Sequence, residues 1–235
     1  MNYQHNETSR ISIIVPTLNE AENIKASITS TQSGKDIEVI VVDGGSQDNT
    51  VLITQELGIK TIFSSPGRAY QMNAGALSAS GDILLFLHAD TILPLLFDDM
   101  IRDALQQTGV IAGAFNLTIN ASRWSLRLVE WGVMIRSHLF QLPYGDQAIF
   151  LNRKVFEQVG GFSELPIMED FDIIQRLRRI GRIAIVPTAV LTSPRRWLQQ
   201  GVLTTTLVNQ IAIIAYFVGV SPARIRDWYC GKKKT

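Results

Sequence analysis

Three acidic positions stand where chemistry is easily done. Asp43 closes the apolar run 37–42, Asp90 follows the run 83–87, and Glu169-Asp170 comes shortly after the Gly160-Gly161 break. Any one of them, taken alone, reads as a turn former or helix cap. Three in one chain point further, because carboxylates brought close together repel and raise one another's pKa unless a cation neutralises them. With one cysteine, Cys230, and only His5, His88 and His138 beside the acids, that cation would be hard and oxygen-ligated, Mg²⁺ or Mn²⁺ rather than zinc. Such an ion commonly bridges phosphates.

The elements that must hold these acids are legible in the hydropathy pattern. Solid β-branched runs at 11–15, 37–42 and 83–87 suit strands buried on both faces. Helical segments are expected between them at 20–31, 48–57 and 67–80. Strand and helix in alternation imply an α/β fold with a mainly parallel, Rossmann-like sheet, whose ligand crevice lies at the C-terminal strand ends. Further on, strands are expected at 110–117, 148–151 and 183–186, the last ended by Pro187. Helices are expected at 124–138, 153–159 and 169–180.

Composition narrows the class. The 235 residues carry 22 Lys+Arg against 21 Asp+Glu, a net charge of +1, and charged residues make up 18%, below the roughly 25% of an average soluble protein. That balance excludes a disordered chain, an acidic tail protein and a highly basic nucleic-acid binder. The polar residues 1–10 do not resemble a signal peptide, and a lone Cys230 gives no disulfide, so a cytoplasmic setting is expected. The charge deficit concentrates in residues 197–223, which carry no charge and are bounded by Arg195-Arg196 and by Arg224 and Arg226. Its polar positions argue against a membrane span. A buried helix, a homodimer contact or a helix in the interface of the inner membrane face are the readings left open.

The segments Ile13-Ile14-Val15-Pro16-Thr17-Leu18-Asn19-Glu20 and Val41-Val42-Asp43-Gly44-Gly45-Ser46 closely resemble the opening of family 2 glycosyltransferases with the GT-A fold. The resemblance continues through Gly67-Arg68, Asn73-Ala74-Gly75, His88-Ala89-Asp90-Thr91, Gly160-Gly161-Phe162 and Met168-Glu169-Asp170, covering roughly residues 11–197. It implies a GT-A domain there, with a nucleotide-binding half near 11–92 and an acceptor half near 110–197, a polar tail at 1–10 and a helical extension at 198–235.

The same resemblance implies inverting sugar transfer from a nucleoside diphosphate, most naturally UDP, to an acceptor hydroxyl. Pro16, Thr17, Asn19, Glu20, Asp43, Gly45, Arg68, Asn73 and His88 then fall at nucleotide-binding positions. An Asp suits uracil because it accepts an imide N–H, and an Arg can grip phosphate with two donors. Asp90 matches the metal-binding end of the family's DxD motif, Asp170 the catalytic base, and Glu169 its neighbour. Gly145, Asp146, Gln147, Arg196 and Trp197 fall where donor sugar and acceptor are met.

Departures from the family pattern are specific. His88 replaces the first Asp of the DxD motif, and Gly44 the second of the usual Asp pair. Ser193 stands where processive members carry the Gln of Gln-x-x-Arg-Trp, which argues against polysaccharide synthesis. The His-Ala-Asp-Thr, Gly-Asp-Gln and Met-Glu-Asp forms resemble the subgroup labelled arsenosugar-biosynthesis glycosyltransferases, implying a small-molecule acceptor. Two other readings compete: a nucleotidyltransferase, which needs a basic Gly-rich loop after the first strand, and a sugar-nucleotide-binding module without catalysis.

Overall fold

The computed structural model describes residues 9–229. Cys230 and the lysines at 232–234 lie outside them, as does nearly all of the 1–10 segment. One sheet organises the chain, with strands β1 (Ile11–Thr17), β2 (Ile37–Asp43), β3 (Lys60–Phe63), β4 (Ile83–Phe86), β5 (Thr91–Ile92), β6 (Val110–Ile119), β7 (Ile149–Asn152) and β8 (Arg182–Thr192). Their spatial order is β3-β2-β1-β4-β7-β6-β8-β5. The β3-β2-β1-β4 portion is parallel, β6 and β8 are parallel, and β7 joins the two sets antiparallel.

Ten helices cover this sheet among the described residues: α1 (Ile24–Thr31), α2 (Thr50–Glu56), α3 (Arg68–Ser78), α4 (Phe97–Gln106), α5 (Trp124–Phe140), α6 (Arg153–Gln158), α7 (Glu169–Leu177), α8 (Arg195–Gln200), α9 (Val202–Phe217) and α10 (Pro222–Tyr229). Alternation along the strands divides the core. Ile11, Ile13 and Val15 of β1 pack with Ile24 and Ile28 of α1 and with Phe97 and Ile101 of α4. On the other face Ile14, Ile40 and Val42 meet Ala69, Met72 and Ala76 of α3, in the same cluster as Ile173 and Ile174 of α7. Gly75 makes that contact close, since a Cβ there would run into Ile14 and Val42. The helix that carries Arg68 and Gln71 is thereby pressed onto the strand ends.

The structure departs from the expected elements in places that matter. Glu20 is irregular and residues 21–23 are a turn rather than the first turn of α1: Asn19 takes a left-handed φ of 55° and Asn23 N–H closes back on Glu20 C=O. The Glu20 carboxylate then faces the site, held there by Arg195 and Asn23. The sequence reading assigns nothing to β3 or α4. Pro187 does not end β8: Phe115 pairs with Val186 and Asn116 with Ala189, so Pro187 sits in a bulge where its missing N–H costs no ladder bond. Expected ends shift elsewhere by a few residues.

The uncharged segment folds as most of α8 and all of α9, ending in the first turn of α10. One side of α9 is packed, with Thr205 and Ala212 buried and a small core formed by Met168, Phe171, Ala212 and Ile225. Tyr229 Oη donates to Asn209 Oδ1 at 2.8 Å, tying α10 to α9, and Tyr216 Oη donates to Asp172 Oδ1 at 3.2 Å, tying α9 to α7. No helix among the described residues is long and apolar enough to cross a membrane.

Candidate active site

The C-terminal end of β1 and the loop after β4 line a cavity of about 470 Å³, with the β2 turn behind its wall. Asn19 staples the loops that rim it, its N–H donating to Ser46 Oγ and its Oδ1 accepting from Gln47 N–H, each at 2.8 Å. Asp43 organises the β2 turn in the same way. Its Oδ2 accepts from the N–H groups of Gly45 and Ser46 at 2.8 Å each, and Gly45 supplies the φ of 97° that aims those donors. Its Oδ1 is buried without a hydrogen-bond partner. Gln71 of α3 locks the floor: Nε2 donates to Thr17 C=O and Val42 C=O, both at 2.8 Å.

The β4–β5 loop carries His88 and Asp90. Burial and the nearby Arg68 charge push the His88 pKa down to about 3, so its imidazole is neutral. Burial, then the Glu20 carboxylate, raise Asp90 above the ordinary carboxylate value, while Arg195 and Arg68 pull the other way. Arg195 Nη2 sits 2.6 Å from Glu20 Oε1 and 3.9 Å from Asp90 Oδ2, spanning the two acids.

Opposite them, residues Gly145–Gln147 form one 3₁₀ turn before β7. A Cβ on Gly145 would lie 2.9 Å from His88 Nε2 and 3.2 Å from Asp170 Oδ2, so a larger residue would displace those side chains. Its N–H donates to Asp170 Oδ2 at 2.8 Å, and the N–H of Phe171 donates to Asp170 Oδ1 at 2.7 Å. Asp170 is thus held in one orientation in the first turn of α7, where the helix dipole favours an anion. Beside it Glu169, 4% exposed, is pushed up to about 7 by burial and by the Asp170 charge; Arg68 Nη1 is 3.9 Å away. Burial raises Asp146 to about 6, and its Oδ1 is another buried oxygen without a partner.

The structure brings most of the sequence-derived site together. Pro16, Thr17, Glu20, Arg68, His88, Asp90, Asp146, Asp170, Arg196 and Trp197 line the large cavity. Glu169 lines an adjoining cavity of about 270 Å³ that shares Arg68, Asp170 and Arg196 with it. Asn19, Asp43, Gly45 and Gly145 stand behind the wall, shaping it. Two positions are occupied by structural work instead. The Asn73 amide brackets the backbone of Phe162, at 2.8 and 2.9 Å. Buried Gln147 bonds Arg136, Ser137, the Tyr144 N–H and the Phe115 C=O.

Residues absent from the sequence-derived set also line the cavity, among them Gln71, Tyr144, Arg195, Asn209 and Tyr229. Arg195 had a signal in its neighbour Arg196. Asn209 and Tyr229 had none, since only the packing of α9 and α10 delivers them.

Among the described residues no three His, Cys, Asp or Glu side chains form a preassembled metal cage. The donor set nevertheless fits a hard divalent ion: Asp90 faces the cavity with one carboxylate, a neutral imidazole stands two residues away, and the surrounding acids favour a cation. Mg²⁺-type sites use one or two protein carboxylates and complete the sphere with phosphate and water.

The sheet order and the crevice at its parallel strand ends define an α/β fold of the GT-A kind. The family model described as "Glycosyl transferase family 2" matches residues 12–163, and the chain belongs to that family. It is a glycosyltransferase. Among curated relatives, a PGL/p-HBAD biosynthesis glycosyltransferase of Mycobacterium bovis is 28% identical over 214 residues, covering 85% of this chain and 80% of that one. A probable glycosyltransferase of Bacillus subtilis, YdaM, is 24% identical over 233 residues; the match covers 81% of this chain and spans about half, 52%, of that protein. Solved structures share the fold. The mannosyltransferase PcManGT from Pyrobaculum calidifontis, in complex with GDP-Man and Mn²⁺, superposes with a TM-score of 0.62 at 22% identity, covering 80% of this chain and 57% of that one. Glucosyl-3-phosphoglycerate synthase from Mycobacterium tuberculosis, with Mn²⁺, UDP and glucosyl-3-phosphoglycerate, gives 0.59 at 21% identity, covering 86% and 79%.

Proposed function

We propose that the protein transfers a sugar from UDP to the hydroxyl of a small acceptor, with inversion at the anomeric carbon. The observation that carries this reading is Asp170. Its carboxylate, oriented by two backbone N–H groups, stands on the boundary between the large cavity and the adjoining one.

The large cavity takes the donor. Asp43 falls at the family's base-reading position, where a carboxylate would accept the uracil imide N–H, although in this fold it stands behind the cavity wall and orders the β2 turn. Arg68 and Arg196 are placed to hold the diphosphate. Asp90 would hold Mg²⁺ or Mn²⁺ together with diphosphate oxygens, and His88 stands ready as a neutral donor to metal or phosphate. A bound divalent ion would stabilise the negative charge that builds on the departing diphosphate. Asp146 is suited to reading sugar hydroxyls through its unpartnered oxygen.

The smaller cavity takes the acceptor. Its walls mix Ile167, Phe171 and Ile213 with Arg196, Asn209 and Tyr229, which suits a small alcohol with an apolar portion. Asp170 removes the proton from that hydroxyl as its oxygen bonds to the anomeric carbon from the face opposite the diphosphate. The carbon–oxygen bond to the diphosphate breaks, and UDP departs. Glu169, about half protonated near neutral pH, faces Arg68 at 3.9 Å and leaves Asp170 as the group that accepts. The small-molecule acceptor also agrees with the resemblance to the arsenosugar subgroup.

Nucleotidyl transfer is less favoured, because β1 runs into Thr17-Leu18-Asn19-Glu20, a loop with no Lys or Arg to hold a triphosphate. Calorimetric titration of UDP, GDP and ATP with and without Mn²⁺ tests the reading. UDP should bind best and more tightly with Mn²⁺. Preference for ATP, or UDP affinity indifferent to Mn²⁺, would overturn it.

A further inference from the structure

We propose that the outer face of α5 and α9 docks side-on against an anionic lipid surface. The proposal goes beyond the sugar chemistry and does not depend on it. Single exposed apolar residues are ordinary, but contiguous patches mark contact surfaces. Here Leu203, Leu207, Ile211 and Ile214 of α9 are all more than half exposed, at spacings of four, four and three that place them on one stripe. Leu128 and Trp131, one turn apart on α5, are likewise 59% and 61% exposed, and α5 and α9 touch.

Three observations choose the occupant. First, α9 carries no charge, and the exposed arginines Arg224 and Arg226 follow it on α10. Second, Glu130 pairs with Arg127 at 3.0 Å and Asp227 with Arg226 at 3.1 Å, each pair neutral, which leaves the exposed Arg123 before α5 and Arg224 on α10 as net positive charge. An anionic surface complements it, and the sequence after Tyr229 adds Lys232, Lys233 and Lys234. Third, exposed tryptophan at an apolar face suits the headgroup level of a bilayer. Since no described helix is long enough to cross, the contact is interfacial.

Co-sedimentation of the full chain with vesicles tests this, using phosphatidylcholine alone or mixed with phosphatidylglycerol, at low and high salt. The chain should pellet with the mixed vesicles, release partly at high salt, and leave pure phosphatidylcholine largely free. The double variant L207E/I214E, both positions exposed and outside the cavities, should bind roughly tenfold more weakly or less, given the apolar surface lost. Its circular dichroism melt reports whether it folds. Should it not fold, R224Q/R226Q supplies the second variant, expected to lose the salt-sensitive part of binding. Equal partition to both vesicle types, no partition at all, or binding indifferent to both variants would overturn the proposal. So would a concentration-dependent dimer dissolved by L207E/I214E, which assigns the face to a second copy.

Discussion

The β2 turn and the first turn of α7 both end in acids beside one crevice, and the fold treats them oppositely. At the β2 turn one Asp43 oxygen collects two backbone donors from its own next residues, so the carboxylate is an organising part of the loop. Around α7 the acids arrive from separate elements. Asp146, Glu169 and Asp170 crowd one another under Arg68, with burial and mutual repulsion raising the first two. A local motif can satisfy a charge within a few residues. A convergent cluster is left in conflict, and conflict of that sort is where a substrate or a cation finds work to do.

The sharpest way to separate the two regions is Asp170→Asn. Transfer should fall by on the order of 10²–10⁴-fold, while UDP affinity by calorimetry changes little; wild-type turnover in this variant would remove the assigned base. Next in size, Asp90→Ala should erase the Mn²⁺-dependent gain in UDP affinity, a loss of about tenfold or more. Equal gains in variant and wild type would move the metal elsewhere. Asp43→Ala is expected to act on the fold instead. Freeing two N–H donors should cost about 1–3 kcal/mol in a urea titration, and an unshifted midpoint would cancel the organising role assigned to that oxygen.

Glu169→Gln should give the smallest effect and one with a pH signature. The carboxyl titrates near 4.5 in the unfolded chain and about 7 in the folded one, so the native state binds more protons between those values. Wild-type stability must therefore decline as pH rises through that window. The variant lacks that decline, and its melting temperature relative to wild type should climb from pH 4.5 to 7 and then level. A difference independent of pH would refute the raised value.

The legibility of the sequence followed the same division. β1, β2 and β4 announce themselves because unbroken β-branched runs have few other fates, whereas Lys60–Phe63 is short, with both ends exposed, and carries no such signal. Pro187 reads as a stop only until the bulge opposite Asn116 is seen. In the site, residue type was legible and residue partner was not. Asn73 and Gln147 have side chains fit for a sugar nucleotide, yet the backbone of Phe162 and the carbonyl of Phe115 claim them. Tyr229 lines a cavity whose floor is set more than two hundred residues earlier by Thr17, and no spacing rule reaches that far.

Trp197 has a practical consequence. Of the four tryptophans, Trp124, Trp131 and Trp228 are exposed, while Trp197 is 8% exposed, lines the large cavity and has an indole N–H without an acceptor. Its emission should therefore be bluer than that of the other three, and a ligand entering beside it is expected to change it. With the three outer indoles replaced by phenylalanine, the protein becomes a single-colour optical gauge of its own occupancy, readable in a stopped-flow cuvette without a label.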